Sequence, residues 1–172
     1  MASIASPSGR LQTLTAVFLT VAMAAVVGAA LGFEHIGGYI PCKLCLEQRI
    51  PYYAGVPVMA LAILSSTLHW PAWVTRGLLL VGGLLMAWGL VMGVRHAGVE
   101  WGWWAGPTDC GAVAAPADTG GKGVLDALDS FMPPACDTAA LRVLGLSFAG
   151  WNVIASVVLA AVAFRGAFGN SK

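Results

Sequence analysis

Charge is what this chain lacks. Only 10% of its 172 residues are Asp, Glu, Lys or Arg, against 58% hydrophobic, and the mean hydropathy is +0.79. A water-soluble domain has about a quarter of its residues charged. So few charges cannot clothe a surface facing water, which excludes a soluble enzyme or binding module and leaves an integral membrane protein. The formal net charge of +1 supplies no basic excess, so nucleic-acid binding is not expected. There is no internal repeat and no segment that reads as a separate soluble domain. Cysteine is also sparse, with four in all. Only two of them are closely spaced, so the double close pair of a common closed zinc site is missing.

What is present is four long uncharged runs, at residues 11–33, 50–68, 77–94 and 144–164. Each is long enough to cross a hydrocarbon core of roughly 30 Å as a helix. The first follows Arg10 and ends near the small residues Gly28, Ala29 and Ala30, as a cleaved signal would. A signal's apolar region is only about 7–15 residues long, so residues 11–33 are read as a retained span. In the second run Pro51 is expected in the first helical turn, where a missing N–H costs little, and Pro57 is expected to kink the helix. Gly82, Gly83 and Gly89 in the third would let neighbouring helices approach closely. The expected architecture is all-α: one membrane domain, residues 1–172, forming an antiparallel bundle of four transmembrane helices.

Two loops on one side of this bundle carry the chemistry, residues 34–49 and 95–143. In the longer, Val124, Leu125, Leu128, Phe131 and Met132 share one helical face, which predicts a short amphipathic helix at the membrane surface. All eight acidic residues fall in these two loops. The termini and the middle turn hold Arg10, Arg76, Arg165 and Lys172 in short segments without acid. The positive-inside rule weights such short flanks, so both termini are expected in the cytoplasm and both cysteine-bearing loops outside it. That is an oxidising compartment, where cysteines form disulfides.

The short loop reads Pro41-Cys42-Lys43-Leu44-Cys45-Leu46-Glu47-Gln48-Arg49. Cys42 and Cys45 stand next to a helix start, where unpaired N–H groups and the macrodipole favour a thiolate, and Lys43 and Arg49 add positive charge. Such a pair suits thiol–disulfide exchange. A pair of structural disulfides and a metal site using all four cysteines are the duller readings. Cys110 and Cys136 lie in the long loop on the same side, spaced as a loop closed by a disulfide would be. Arg49 is either an interfacial arginine that snorkels, or a fixed donor to a carbonyl oxygen of a lipid-soluble ligand beside Cys45. His96, at the start of the long loop, is within reach of the same interface.

With these residues together, the chain resembles the disulfide bond formation protein B (DsbB) family of bacterial inner-membrane enzymes. The resemblance rests on four spans, the Cys42–Cys45 motif with Arg49 after the first, and Gly106-Pro107-Thr108-Asp109-Cys110 with Cys136 in the long loop. It implies a thiol:quinone oxidoreductase with Cys42, Cys45, Cys110 and Cys136 as redox residues and no metal. Arg49 and His96 would lie at the quinone, ubiquinone or menaquinone. The implied partner is a periplasmic thioredoxin-fold dithiol oxidase of the disulfide bond formation protein A (DsbA) type. Its electrons would enter at Cys110–Cys136, cross to Cys42–Cys45 and leave to the membrane quinone pool. Such a partner has a potential near about −120 mV, against below about −300 mV for structural disulfides, so a strong acceptor is needed. The alternatives are a vitamin K epoxide reductase-like enzyme, in which the close pair follows the loop pair instead of preceding it, and a tetraspan interaction protein with structural disulfides.

Overall fold

The computed structural model describes residues 9–107 and 136–169. The predicted amphipathic helix at 124–132 and Cys110 lie outside the described residues. Four long helices dominate: α1 (Arg10–His35), α2 (Lys43–Thr67), α3 (Ala72–Glu100) and α4 (Phe148–Phe168). Each is long and apolar enough to cross a membrane. A two-stranded hairpin, β1 (Arg142–Val143) and β2 (Leu146–Ser147), leads into α4. The architecture is the expected all-α four-span membrane bundle.

The helices extend past the apolar runs because a membrane helix continues until its backbone groups meet water or a cap, not until its side chains turn polar. α2 begins seven residues before the run at 50–68, and α3 continues six residues past 94. Cys42 is therefore the N-cap of α2, and Cys45 lies inside its first turn. Pro51 is not in the first turn as expected. Both Pro51 and Pro57 lie in the helix interior. Pro51 packs beside Gly89 of α3, where a Cβ on the glycine would sit 3.6 Å from the proline ring. α3 brings Arg95, His96 and Glu100, assigned to a loop by hydropathy, onto its final turns.

α3 is the central helix, packing most extensively on α4 and then on α2. Its glycines make this possible. A Cβ on Gly83 would lie 2.8 Å from the Phe164 ring of α4, and one on Gly82 would lie 2.6 Å from Met59 of α2. Small residues at such crossings let dispersion contacts form between backbones, the main source of helix association in lipid. Met23, Tyr52, Met59, Leu79, Met86 and Leu159 form the mid-bundle core. Val21, Leu84 and Val91 face outward, 57–64% exposed, as lipid-facing residues do. With both faces apolar, the helices lack the one-sided pattern of soluble ones.

One end of the bundle gathers the start of α1 and the end of α4: Gln12 Nε2 donates to the Gly169 carbonyl at 3.1 Å. Ser65 and Thr75 join α2 and α3 at that end by a 2.8 Å bond. The opposite end holds the α2 N-terminus, the α3 C-terminus and the hairpin. In the hairpin, Leu144 (φ 52) and Gly145 (φ 84) form a turn with both central residues left-handed, the geometry of a tight two-residue connection. Ser147 then caps α4, accepting from Gly150 N at 3.2 Å.

Candidate active site

The helix N-terminus puts both thiols of the close pair on one turn. Their sulfurs are 3.2 Å apart, too far for the roughly 2.05 Å of a disulfide, so they form a free dithiol. Cys42 is buried at 4% exposure, in a small cluster with Leu44, Val99 and Cys136, against which Cys45 also packs. Cys136 is itself buried and disulfide-bonded. The two loops thus bring one cysteine of the long loop against the close pair.

His96, one helix away on α3, turns its Nε2 to Cys42 Sγ at 3.8 Å. The same nitrogen is 3.8 Å from the Glu100 carboxylate, whose side chain is also buried. The Cys42 thiol is lowered from 9.0 to about 4. The Cys45 thiol beside it is the main cause, since it can donate to the Cys42 sulfur, and His96 assists against the opposing effect of burial. The reduced pair carries its charge on Cys42.

On the other side of the pair, a cavity of about 400 Å³ opens between α1, α2 and α4. Val26, Val27, Ala30, Phe33 and Phe148 supply apolar wall, while Cys45, Arg49, Gln48 and Asn152 converge on it. Tyr39 meets Phe33 and Phe148 edge-on, and Phe33 and Phe148 pack tilted, with ring centroids 4.9–6.4 Å apart. Arg49 is two turns inside α2, and its guanidinium is ion-paired with Glu34 at the end of α1. The pair holds it on the cavity wall. A guanidinium has five N–H donors, and among the described residues Glu34 engages one nitrogen of Arg49, leaving donors for a ligand oxygen.

Of the residues singled out in the sequence, Cys42, Cys45, Arg49, His96 and Cys136 meet at this end of the bundle. They do not all face one space. Cys45 and Arg49 line the cavity, whereas His96 sits behind Cys42 and is not in the cavity wall. Sequence reasoning did not single out Glu34, Gln48, Tyr52, Glu100 or Ser156. Their signal was available: polar groups inside or at the ends of membrane spans face partners or cavities, not lipid.

A family model for the disulfide bond formation protein DsbB matches residues 12–165. The chain belongs to the DsbB family. One relative, disulfide bond formation protein B of Methylococcus capsulatus, is 38% identical over 74 residues, covering 42% of this chain and 43% of the relative. The aligned stretch is thus less than half of that relative's length. No solved structure matches the chain. DsbB membership and the four apolar helices make this a multi-pass membrane protein.

Proposed function

We propose that this DsbB-family protein is a dithiol:quinone oxidoreductase that reoxidises a periplasmic thioredoxin-fold dithiol oxidase of the DsbA type. The observation that carries the reading is the cavity: an apolar chamber that has Cys45 on its wall and a fixed arginine beside it. Its size falls within the usual range of ligand pockets, and its few convergent polar groups match what an apolar ring with carbonyl oxygens requires. Arg49 would hold such an oxygen, with the aromatic and aliphatic wall around the ring. A quinone bound there supplies an acceptor for two electrons and two protons.

The protein's own residues perform the thiol steps. A partner thiolate attacks Cys110 of an oxidised Cys110–Cys136 pair, forming a mixed disulfide and releasing Cys136 as a thiolate. Cys136 attacks Cys42 of the oxidised close pair. The Cys42–Cys136 bond forms, the Cys42–Cys45 bond breaks, and Cys45 leaves as a thiolate on the cavity wall. The partner's second thiol resolves its mixed disulfide, departing oxidised. Cys110, left as a thiolate, attacks Cys136: the Cys110–Cys136 bond re-forms, the Cys42–Cys136 bond breaks, and Cys42 leaves as a thiolate. Cys42 and Cys45 are then a reduced pair beside the cavity, and the electron pair released as their disulfide closes would pass to a bound quinone. His96 acts on Cys42 in this scheme and Arg49 on the ligand. In the proposed setting, an inner membrane, both termini are cytoplasmic and the cysteine loops periplasmic.

The test is quinone reduction by the purified protein, driven by a reduced thioredoxin-fold oxidase. Turnover should disappear on replacing any one of the four cysteines with serine. Full turnover by Cys45→Ser would exclude the mechanism.

A further inference from the structure

One set of polar side chains within the bundle forms a continuous chain that ends at the dithiol. Tyr52 Oη is 3.1 Å from Ser156 Oγ and donates to Asn152 Oδ1 at 2.6 Å. Asn152 Nδ2 donates to Gln48 Oε1 at 2.6 Å. Gln48 Nε2 lies 3.2 Å from the Leu44 carbonyl and also contacts His96 Nδ1. His96 Nε2 then faces Cys42 Sγ at 3.8 Å, with the Glu100 carboxylate at the same distance beside it. Gln48, Tyr52, His96 and Ser156 are each at most 6% exposed.

The direction of the chain is not free. A backbone carbonyl only accepts, so the Gln48 atom facing Leu44 must be the amide nitrogen. That orientation turns the oxygen to Asn152, which must donate, and leaves Asn152 Oδ1 to accept from Tyr52. It also makes Gln48 a donor to His96 Nδ1. A nitrogen that accepts carries no proton, so the proton of the neutral ring is on Nε2.

We propose that Gln48 is a positioning residue that, oriented by the Leu44 carbonyl and Asn152, presents a donor to His96 Nδ1 and so directs the ring's Nε2–H towards Cys42 Sγ. This rests on the thiol chemistry assigned to Cys42 above. Two consequences follow. His96 stabilises charge on Cys42 by donating a hydrogen bond and cannot serve as a base towards it. The ligand atoms of Cys42, Cys45 and His96 lie within 4.8 Å of one another, a spacing compatible with a metal ion. A metal-bound histidine needs a free Nε2 lone pair and usually donates from its other nitrogen. Here that arrangement is reversed, so the cluster is tuned for a thiolate and against a metal. Gln48 and Asn152 also line the cavity, so the groups that fix the ring touch the space where the acceptor would bind.

The chain has three histidines, so selective 15N-histidine labelling of the full-length reduced protein in detergent gives few signals, and a His96→Leu sample assigns the relevant pair. The expected spectrum at pH 7 shows His96 Nε2 protonated and Nδ1 unprotonated. A protonated Nδ1, in either the other tautomer or the imidazolium, overturns the proposal. Gln48→Glu, nearly isosteric, should draw a proton onto Nδ1, and Gln48→Leu should give mixed tautomers. An unchanged His96 spectrum in both variants also overturns it.

The second readout is the acid midpoint of thiolate absorbance in a Cys110→Ser, Cys136→Ser background. Gln48→Leu should raise it by about one unit, the tenfold expected from weakening one hydrogen bond to a charged acceptor. The other titratable groups near the sulfurs, Cys45, Glu100 and Arg49, are the same throughout, so an unmoved midpoint counts against the proposal. These measurements need no quinone. If the tautomer is as stated but no quinone is reduced, the proposed function fails and the positioning role stands.

Discussion

The lowered Cys42 thiol makes a quantitative prediction about the redox chemistry of the pair. A thiol with a value of about 4 in place of 9.0 is ionised at pH 7, so the reduced state gains free energy that the disulfide does not. Because the folded value is depressed, this gain is complete above the ordinary thiol value and is lost as pH falls through about 4. At pH 7 it spans about three units, or about 4 kcal/mol at 1.36 kcal/mol per unit. For a two-electron couple, where 30 mV is about 1.4 kcal/mol, that raises the potential of the Cys42–Cys45 disulfide by about 90 mV. A buried thiolate thus makes the pair a stronger oxidant, which is the direction needed to accept electrons from an oxidising partner.

The decisive assay is the pH dependence of this potential, measured against a thiol redox buffer with Cys110 and Cys136 replaced by serine. Between about pH 4.5 and 8.5, reduction should take up one proton, because Cys42 ends as a thiolate and Cys45 keeps the proton it donates. The slope is then about 30 mV per pH unit, half the roughly 59 mV for uptake of two protons. Cys45→Ala removes the largest cause of the shift, and the Cys42 midpoint should rise, with burial then opposed only by His96 and the backbone N–H of residue 45. A two-proton slope from pH 5 to 8, or a midpoint unmoved by Cys45→Ala, would refute the reasoning.

Other predictions test the cavity and the frame. Arg49→Ala should raise the apparent quinone KM about tenfold or more, the scale of a lost charge-assisted hydrogen bond, and Glu34→Gln should raise it less, because the guanidinium remains. An unchanged KM in Arg49→Ala would make that residue structural. Gly83→Leu should lower stability by about 1–3 kcal/mol through overpacking against Phe164, read as earlier thermal unfolding in detergent. Leu144→Asn should stabilise the hairpin by about 1 kcal/mol, since asparagine tolerates the positive φ there, without changing turnover.

The bundle was legible in the sequence because the spans differ from the loops in hydropathy alone. Helix ends were not: Lys43, Glu47 and Arg49 read as loop, yet the helix needs their backbone hydrogen bonds and its polar first turns can reach the interface. The same effect hid the setting of His96 and Glu100 on α3. The glycines of α3 were legible because close helix approach needs the absence of a side chain, which sequence reports directly. The polar chain through Tyr52, Asn152 and Gln48 was only partly visible. Asn152 is a polar residue inside the apolar run 144–164, but its partners lie on another helix, 100 or more residues away in sequence. Spacing cannot show which of two helix faces meet.

The two sulfurs of the close pair have different surroundings, and under the proposed relay this decides which is attacked. Cys42 shares a buried cluster with Cys136, whereas Cys45 has a place on the cavity wall. An attacking sulfur approaches nearly in line with the bond it breaks, so attack from the Cys136 side expels Cys45 towards the cavity, where Arg49 offers a positive charge. The opposite choice would bring Cys136 to the sulfur on the cavity wall and expel Cys42 against Val99 and Leu44. Replacing Cys110 with serine leaves Cys136 as a thiol beside an intact Cys42–Cys45 disulfide. Attack on Cys42 forms the Cys42–Cys136 bond, breaks Cys42–Cys45 and frees Cys45, with no further oxidant needed. The variant, oxidised at the close pair and quenched with an alkylating reagent, should therefore hold a Cys42–Cys136 link within one chain, identified by peptide mass spectrometry. The Cys45–Cys136 link should form much more slowly, because Cys45 only borders the buried cluster and lies on the cavity wall. Equal rates of formation for the two links would show that the two surroundings do not direct the exchange.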